Sequence, residues 1–262
     1  MPAQRLPAPA PWELAWCASC HFGFLTNPPD YEALTTEFEW ENSASEEKLR
    51  RHRAHGSVGA GIARMLGHLR AIYVRVAKRD KLRAVMTAAG MQGSIVDLGC
   101  GDGSAWVSFP ANCTPLGIEI SPVSIVKARN RLGDGAGRLI EADALNGLRQ
   151  LPDNSADGAI ASSFVEHDVR PVETLRELHR VLRPGGSFLV KLPNYACWNR
   201  VVRGLRWCGF RFPDHVNYFT PRSLRELFTR HGYEVTRFGW LDRAPTSDNM
   251  WCVARKVANP AD

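Results

Sequence analysis

A short apolar strand that runs directly into a glycine turn is the feature that most constrains this chain. Residues 94–98 (SIVDL) are followed at once by Gly99, Gly101 and Gly103 at alternate positions. A brief, almost continuous apolar run is typical of a strand buried on both faces of a parallel sheet. Glycines directly after such a strand let the backbone adopt positive φ angles and approach a ligand closely. The sequence therefore predicts an α/β fold with a ligand site at this turn.

Strands and helices alternate along the rest of the chain. Helix signals separate the strand-like runs: Ser121 before Pro122, Pro171 before a run with helical spacing, and Thr220 before Pro221. Alternation of this kind predicts parallel βαβ units and a doubly wound, Rossmann-like sheet with helices on both faces. The strand-like runs are residues 94–98, 115–120, 138–143, 157–162, 187–192, 233–239 and 250–256.

The chain divides into three parts by composition. Residues 1–45 are expected to form an irregular leader, residues 46–92 an N-terminal helical extension, and residues 93–262 the main domain. The main domain carries an arginine- and aromatic-rich insertion at residues 195–219, which we place on the substrate side. We see no apolar signal region and no run long enough to span a membrane, so we expect a cytoplasmic protein whose seven cysteines remain thiols.

Positive charge is concentrated in one stretch. Residues 46–83 hold eleven Lys and Arg against three acidic residues, in a chain whose net charge is +6. Such a stretch suits either a phosphate-rich partner or a solvated helical face whose arginine stems cover apolar surface. Its basic runs are short and contain few aromatic residues, so we favour the solvated face and expect no nucleic-acid partner.

The residues in and around the glycine turn indicate which class of ligand can bind there. Gly103 follows Gly101 by two residues rather than three, so the dinucleotide fingerprint is not met. Asp97 and Asp102 flank the turn, and their charges would repel a pyrophosphate but suit a ligand with an ammonium group. Glu119 ends the next strand, where a carboxylate can accept hydrogen bonds from ribose hydroxyls. The sequence favours an adenosine that bears an amino acid and disfavours NAD.

These segments resemble the motifs of class I S-adenosylmethionine (SAM)-dependent methyltransferases. Residues 96–103 are similar to the first motif, and Glu119 matches the acidic residue that ends the second strand. Residues 142–144 are similar to the adenine-binding segment, residues 164–167 to the stretch after the fourth strand, and residues 175–186 to the helix and turn before the fifth. The resemblance covers residues 89–256 and implies about seven strands with the last one antiparallel.

The resemblance also implies a cofactor and its contacts. The cofactor is SAM, and S-adenosylhomocysteine is its product. Asp143 is implied to face the exocyclic amine of the adenine. The cofactor-binding residues it implies are Asp97, Gly99, Cys100, Gly101, Gly103, Glu119, Ile120, Asp143, Ala144 and Ser162.

A finer resemblance is to the ubiquinone-biosynthesis-like branch of these enzymes. Residues 213–221 are similar to the substrate-side segment of that branch, and residues 17–29 to the second half of a zinc-ribbon leader. No first C-x-x-C precedes Cys17 and Cys20, although tetrahedral zinc needs four ligands. We therefore predict a degenerate leader and no bound metal.

Candidate residues for the chemistry lie after the fourth strand and in the insertion. His167 is placed to remove a proton from a hydroxyl acceptor, and Glu166 to orient it. His215, Asn217 and Tyr218 are predicted to contact the acceptor. Arg203 and Arg206 are predicted to bind an anionic group on it, since guanidinium forks suit phosphate and carboxylate.

The sequence thus predicts a SAM-dependent methyltransferase that acts on a small molecule. The expected acceptor is a hydroxyl of a sugar, a quinone-like ring or another secondary metabolite, and the expected assembly is a monomer or a homodimer. Two alternatives remain open. The basic stretch suggests an RNA methyltransferase, and the cofactor motifs alone would also suit a non-catalytic SAM-binding module.

Overall fold

A computed structural model describes residues 4–29, 81–133 and 137–257. Eleven strands lie in these ranges. In chain order they are β1 (Gln4–Leu6), β2 (Leu14–Cys17), β3 (Phe22–Leu25), β4 (Gly93–Leu98), β5 (Cys113–Glu119), β6 (Arg138–Glu141), β7 (Ala156–Ser162), β8 (Leu182–Pro193), β9 (Asn217–Tyr218), β10 (Tyr233–Phe238) and β11 (Asn249–Lys256).

The helices of the described ranges follow the predicted alternation with one exception. The glycine turn is followed only by a short 3₁₀ helix, Ser104–Ser108, where the sequence suggested an α-helix. The α-helices are α1 (residues 81–88), α2 (Pro122–Leu132), α3 (Ala144–Arg149), α4 (Pro171–Val181), α5 (Trp198–Arg203), α6 (Pro221–Arg230) and α7 (Trp240–Arg243).

Seven strands form one mixed sheet in the order β10-β11-β8-β7-β4-β5-β6. The five strands from β8 to β6 are parallel to one another, and β11 is antiparallel to both of its neighbours. The predicted doubly wound, Rossmann-like sheet with an antiparallel last strand is confirmed. The carboxyl ends of β4, β5 and β7 meet at one edge, which is where ligands bind in such sheets.

Both faces of this sheet are buried, as a parallel sheet requires. Val96 belongs to one apolar cluster, whereas its neighbour Ile95 belongs to another. The same alternation separates Phe188 from Leu189. Successive side chains of a strand point to opposite faces, so the two clusters are the cores on the two sides of the sheet.

Helices α2 and α6 begin at the residues that the sequence predicted. The Ser121 hydroxyl accepts a hydrogen bond from the Ser124 N–H at 3.2 Å, with Pro122 in the first turn. Thr220 and Ser223 form a reciprocal capping box at the start of α6. Each side chain pairs a backbone N–H that a helix end leaves without a partner.

The leader is not irregular, which corrects the expectation for residues 4–29. Strands β1, β2 and β3 form an antiparallel sheet, and β9 of the insertion adds a fourth strand to it. Gly23 lies opposite Tyr218 and Phe24 opposite Asn217. The signal was missed because β3 pairs with a strand almost two hundred residues away, and local patterns do not report such pairing.

A third apolar core lies between the leader and the insertion. Leu14 and Leu25 of the leader pack in one cluster with Trp207, Phe210 and Tyr218 of the insertion. The leader is therefore built onto the substrate side of the main domain. Apart from α1, the predicted helical extension falls outside the described residues, and so does most of the basic stretch.

Candidate active site

A cavity of about 810 Å³ opens at the carboxyl edge of the large sheet. It lies against the glycine turn and extends to the segment after β7. Nine of the ten residues predicted to bind the cofactor line it; Gly103 is the exception. The lining residues are Asp97, Gly99, Cys100, Gly101, Asp102, Ser104, Ala105, Ile118, Glu119, Ile120, Ser121, Ser124, Lys127, Ala142, Asp143, Ala144, Leu145, Ser162, Ser163, Phe164, His167, Asp168, Arg170 and Asp214.

The glycine turn needs glycine at its two ends. Gly99 has a φ of +64°, and a Cβ there would lie 2.7 Å from the Phe164 ring. Gly103 has a φ of +70°, and a Cβ there would lie 2.5 Å from the Trp106 ring. Larger residues would be strained at these angles and would displace both rings. Gly103 therefore shapes the turn without lining the cavity.

Glu119 holds the turn through its carboxylate. One carboxylate oxygen accepts the Gly101 N–H at 2.8 Å, and the other accepts the N–H groups of Ile120 and Ser121 at 2.9 Å each. A carboxylate has about four lone-pair sites. Three N–H donors therefore leave it limited capacity for the predicted ribose contact, and Glu119 also fixes the shape of the turn.

Asp97 is buried beneath the turn, with 2% of its surface exposed. Its carboxylate accepts a hydrogen bond of 2.8 Å from the indole N–H of Trp106. Burial raises the pKa of Asp97 to about 7, the Trp106 hydrogen bond opposes that rise, and the charge of Glu119 adds to it. Sequence reasoning missed Trp106, whose only signal was an aromatic residue shortly after the third glycine.

Asp143 lies at the N-terminus of α3. Its carboxylate accepts the Asn146 N–H at 3.0 Å and pairs with the Arg170 guanidinium at 3.2 Å. Asp143 and Ala144 line the cavity, so the adenine-binding segment implied by the resemblance lies where a ligand can reach it. Its predicted contact with the adenine amine stays a prediction.

His167 lines the acceptor side of the cavity. Its Nδ1 lies 2.9 Å from the backbone carbonyl of Asp214. A carbonyl only accepts hydrogen bonds, so Nδ1 carries the proton and Nε2 is the acceptor nitrogen of the neutral ring. Burial, together with the positive charge of Arg211, lowers the pKa of His167 to about 3. The ring is therefore neutral at physiological pH.

Glu166 does not provide the hydrogen bond that orients His167. That bond comes from the Asp214 carbonyl, which corrects the orienting role predicted for Glu166. Glu166 is 1% exposed, and its Oε2 has no hydrogen-bond partner among the described residues. Burial raises the pKa of Glu166 to about 7, against the opposing charge of Lys191.

The residues predicted to bind the acceptor do not line the cavity. His215 is buried behind His167, with ring centroids 4.6 Å apart, and its Nδ1 lies 2.7 Å from the Gly209 carbonyl. Asn217 donates to the carbonyls of Val165 and Asp168 at 3.0 and 2.6 Å. Asn217 therefore supports the loop that carries His167.

The remaining three predicted acceptor residues also lie elsewhere. Tyr218 is buried in the core between leader and insertion, and Arg203 and Arg206 are exposed on α5 and the 3₁₀ turn after it. None of the three lines the cavity, and their contacts with an acceptor stay predictions. Aromatic and arginine content does not indicate which side chains of the insertion face inward.

One group of described residues has the spacing of metal ligands. Ligand atoms of Glu166, His167 and His215 lie within 4.8 Å of one another. Lys191 and Arg211 act on the same groups with positive charge, which opposes a bound cation. The absence of a metal stays a prediction.

Comparison with known proteins identifies the class of this protein. The model of a family described as a methyltransferase domain matches residues 57–237, more than half of the chain. The chain belongs to this family, as its motifs predicted. The cofactor of such SAM-dependent enzymes is the one that the glycine turn suggested.

Two curated relatives and one solved structure are among the most similar. A probable SAM-dependent methyltransferase of Mycolicibacterium smegmatis is 28% identical over 63% of this chain and 66% of its own length. Demethylmenaquinone methyltransferase of Symbiobacterium thermophilum is 25% identical over 55% of this chain and 69% of its own. The matches thus leave about a third of each relative uncovered.

The solved structure is a complex between the Haloferax volcanii Trm112 methyltransferase activator and a methyltransferase. It matches with a TM-score of 0.56 at 18% identity, over 74% of this chain and 97% of the matched one. At that identity the likeness shows the shared fold. No described helix is long and apolar enough to cross a membrane.

The residues of the cavity fit this cofactor. The Asp97 and Glu119 carboxylates both line the cavity at the glycine turn, and no cation pairs with either in the described contacts. These two carboxylates accept hydrogen bonds, so they suit an ammonium group and hydroxyl groups and disfavour phosphates.

Proposed function

We propose that this chain transfers the methyl group of SAM to an acidic hydroxyl of a small molecule, such as a phenol or a quinol. One observation carries the choice of acceptor: a neutral, half-buried His167 lies at the cavity wall, with Nδ1 bonded to a backbone carbonyl. The bound cofactor would supply an electrophilic methyl group. The protein must then bind the acceptor, align its oxygen and remove its proton.

His167 supports the role of proton acceptor. The Asp214 carbonyl fixes the ring orientation and its tautomer, which makes Nε2 the basic atom. Because burial lowers the pKa of the ring to about 3, it is a weak base in the free protein. A weak base removes protons readily only from acidic groups, so a phenolic or enolic hydroxyl fits better than a sugar hydroxyl.

Supporting residues hold this arrangement in place. Asn217 bonds the carbonyls on either side of His167, and the His215 ring packs edge-on against it. Glu166 Oε2 accepts no hydrogen bond from the residues that the structure describes, but the Glu166 backbone carbonyl accepts the N–H groups of Val216 and Asn217. These contacts tie the loop after β7 to the insertion, so the two together form one wall of the acceptor side.

One curated relative supports a ring acceptor. It is a demethylmenaquinone methyltransferase, a name that refers to a quinone acceptor for that protein. That the acceptor carries an anionic group stays a prediction, but different cationic residues now support it. Arg203 and Arg206 lie away from the cavity, whereas Lys127 and Arg170 line it.

The test is turnover of SAM to S-adenosylhomocysteine with a panel of phenols, quinols and sugars. We expect turnover with a phenolic or quinolic compound. His167→Ala should lower kcat about 100- to 10,000-fold, the range for loss of a general base, and leave SAM affinity within about twofold. His231→Ala, at the end of α6, is the matched control and should behave as wild type.

Other results of this turnover test would favour one of the alternative functions. Turnover on RNA, lost steeply as salt rises, would establish an RNA methyltransferase. SAM binding without turnover on any panel or on cell extract would favour a non-catalytic module. Equal turnover by wild type and His167→Ala would remove the base from the proposal and leave alignment as the source of rate.

A further inference from the structure

Helix α5 presents an apolar stripe to solvent. Trp198, Val201, Val202 and Leu205 are 61, 69, 83 and 42% exposed. Their spacing of i, i+3, i+4 and i+7 places them on one side of α5 and of the 3₁₀ turn that follows. Such a stripe normally packs on a core, but α5 has no buried residue.

A second exposed apolar segment lies beside α5. Trp240 and Leu241 of α7 are 72 and 59% exposed. The Trp198 N–H donates a hydrogen bond of 2.7 Å to the Pro245 carbonyl, which joins the start of α5 to the segment just after α7. The two segments together form what we call the apolar patch, defined by Trp198, Val201, Val202, Leu205, Trp240 and Leu241.

Positive charge lies next to the patch, and no exposed acid lies within its two described segments. Arg203, Arg206 and Arg243 are exposed within the same two segments. Residues 198–206 contain no Asp or Glu. The acid of α7, Asp242, is buried and paired with Lys81 at 2.6 Å. An apolar centre with a cationic rim is complementary to an anionic surface that has an apolar interior.

We propose that the apolar patch docks the protein on the surface of an anionic phospholipid bilayer. Exposed tryptophans are favoured at the level of lipid headgroups, and valine and leucine side chains below it. Arginines next to them extend to lipid phosphates while their stems remain in the apolar layer. Because α5 has only six residues, it lies on the bilayer and does not cross it.

The patch is placed to serve the cavity. α5 follows β8, which is parallel to β7, so it starts from the sheet edge that carries the glycine turn and His167. Docking would bring that edge towards the membrane. The inference goes beyond the proposed function and is tested without any measurement of activity.

The experiment is flotation of the full chain with vesicles. One set contains equal parts of phosphatidylcholine and phosphatidylglycerol, and the other contains phosphatidylcholine alone. We expect co-flotation with the anionic vesicles and at least tenfold less with the neutral ones. Val201→Asp/Val202→Asp should lower binding at least about tenfold, because both side chains enter the apolar layer.

Two further variants separate the contributions. Arg203→Ala/Arg206→Ala should weaken binding to anionic vesicles by about 25-fold, or about fivefold per arginine. The control is Val126→Asp on α2, where an equally exposed valine, 56%, lies outside the patch. It should float as wild type does. Circular dichroism and the thermal midpoint of each variant report whether it is folded.

Three outcomes would overturn the proposal. Wild type that fails to float shows that the patch is covered or serves another partner. Equal flotation by wild type and by a folded Val201→Asp/Val202→Asp variant places membrane binding elsewhere on the chain. A wild-type dimer that dissociates in that variant, without flotation, shows that a second copy occupies the patch.

Discussion

The indole N–H of Trp106 donates a hydrogen bond of 2.8 Å to the carboxylate of Asp97. This bond connects the 3₁₀ helix after the glycine turn to the end of β4, directly beneath the cavity. Burial raises the pKa of Asp97 to about 7, whereas the Trp106 bond favours the charged form. The carboxylate therefore titrates close to neutral pH in the free protein. A cationic ligand would bind the ionised form preferentially.

The first prediction is that SAM affinity depends on pH through Asp97. Below pH 7 the free protein holds a proton on Asp97, which must leave before the ammonium group can pair with the carboxylate. The Kd should therefore rise about tenfold between pH 8 and pH 6. Calorimetry in buffers of different ionisation enthalpy should also detect proton release on binding at pH 6.5. A Kd that is constant over this range contradicts the assignment.

Asp97→Asn is the matched variant for this effect. It should bind SAM more weakly at pH 8 and show no pH dependence between pH 6 and pH 8. It should also be more stable at pH 8, by at most about 4 kcal/mol. The sign follows from the raised pKa: the folded state disfavours the charged carboxylate, so ionisation above pH 4 lowers wild-type stability as the pH rises to 7. Near pH 4 the two proteins should have similar stability.

The second prediction concerns the Trp106 hydrogen bond. Trp106→Phe keeps an aromatic ring against the turn but removes the donor to Asp97. A hydrogen bond to a charged group contributes about 1.5–3 kcal/mol, so its loss should raise the pKa of Asp97 by at least about one unit. The midpoint of the pH dependence of SAM binding should move up by the same amount. Trp240→Phe, at an exposed tryptophan, should leave that midpoint unchanged.

The large sheet could be predicted from sequence because its signals are local. Each buried strand and each helix cap occupies a short continuous stretch, as Ser121 before α2 shows. The antiparallel orientation of the last strand also follows from the family resemblance. The leader sheet could not be predicted in this way, since Gly23 pairs with Tyr218, which lies almost two hundred residues further along the chain.

The site was predictable to the extent that backbone geometry defines it. The glycines and Glu119 lie where strand ends must bring them together. Partners chosen by tertiary packing were not predictable. Asp214 orients His167 through a backbone carbonyl, which has no residue-type signal. Likewise, the exposure of Arg203 depends on how α5 packs, and its sequence spacing does not reveal that.

The third prediction is that Glu119 both binds the ribose of SAM and holds the glycine turn in shape. In Glu119→Gln, an amide NH₂ replaces one carboxylate oxygen and faces a backbone N–H, either that of Gly101 or those of Ile120 and Ser121. The amide NH₂ and the backbone N–H then face each other as two hydrogen-bond donors. Residue 119 also becomes a weaker hydrogen-bond acceptor for the ribose hydroxyls. SAM should bind about 10- to 100-fold more weakly. Glu141→Gln is the control, because Glu141 pairs in register with Glu119 and is exposed. Equal affinity of Glu119→Gln and wild type would show that the ribose is held elsewhere.

The last prediction separates a supporting role for Asn217 from the acceptor contact that the sequence suggested. Asn217 is 7% exposed, and its amide bonds the carbonyls of Val165 and Asp168 on either side of His167. Asn217→Ala leaves both carbonyls without this donor, so the free energy of unfolding should fall by about 2–4 kcal/mol in urea titrations. Asn130→Ala, on the exposed face of α2, should change it by less than about 0.5 kcal/mol. Because His167 loses its support, kcat should fall more than the KM for the acceptor rises. A variant of wild-type stability with a raised KM would instead assign Asn217 to the acceptor.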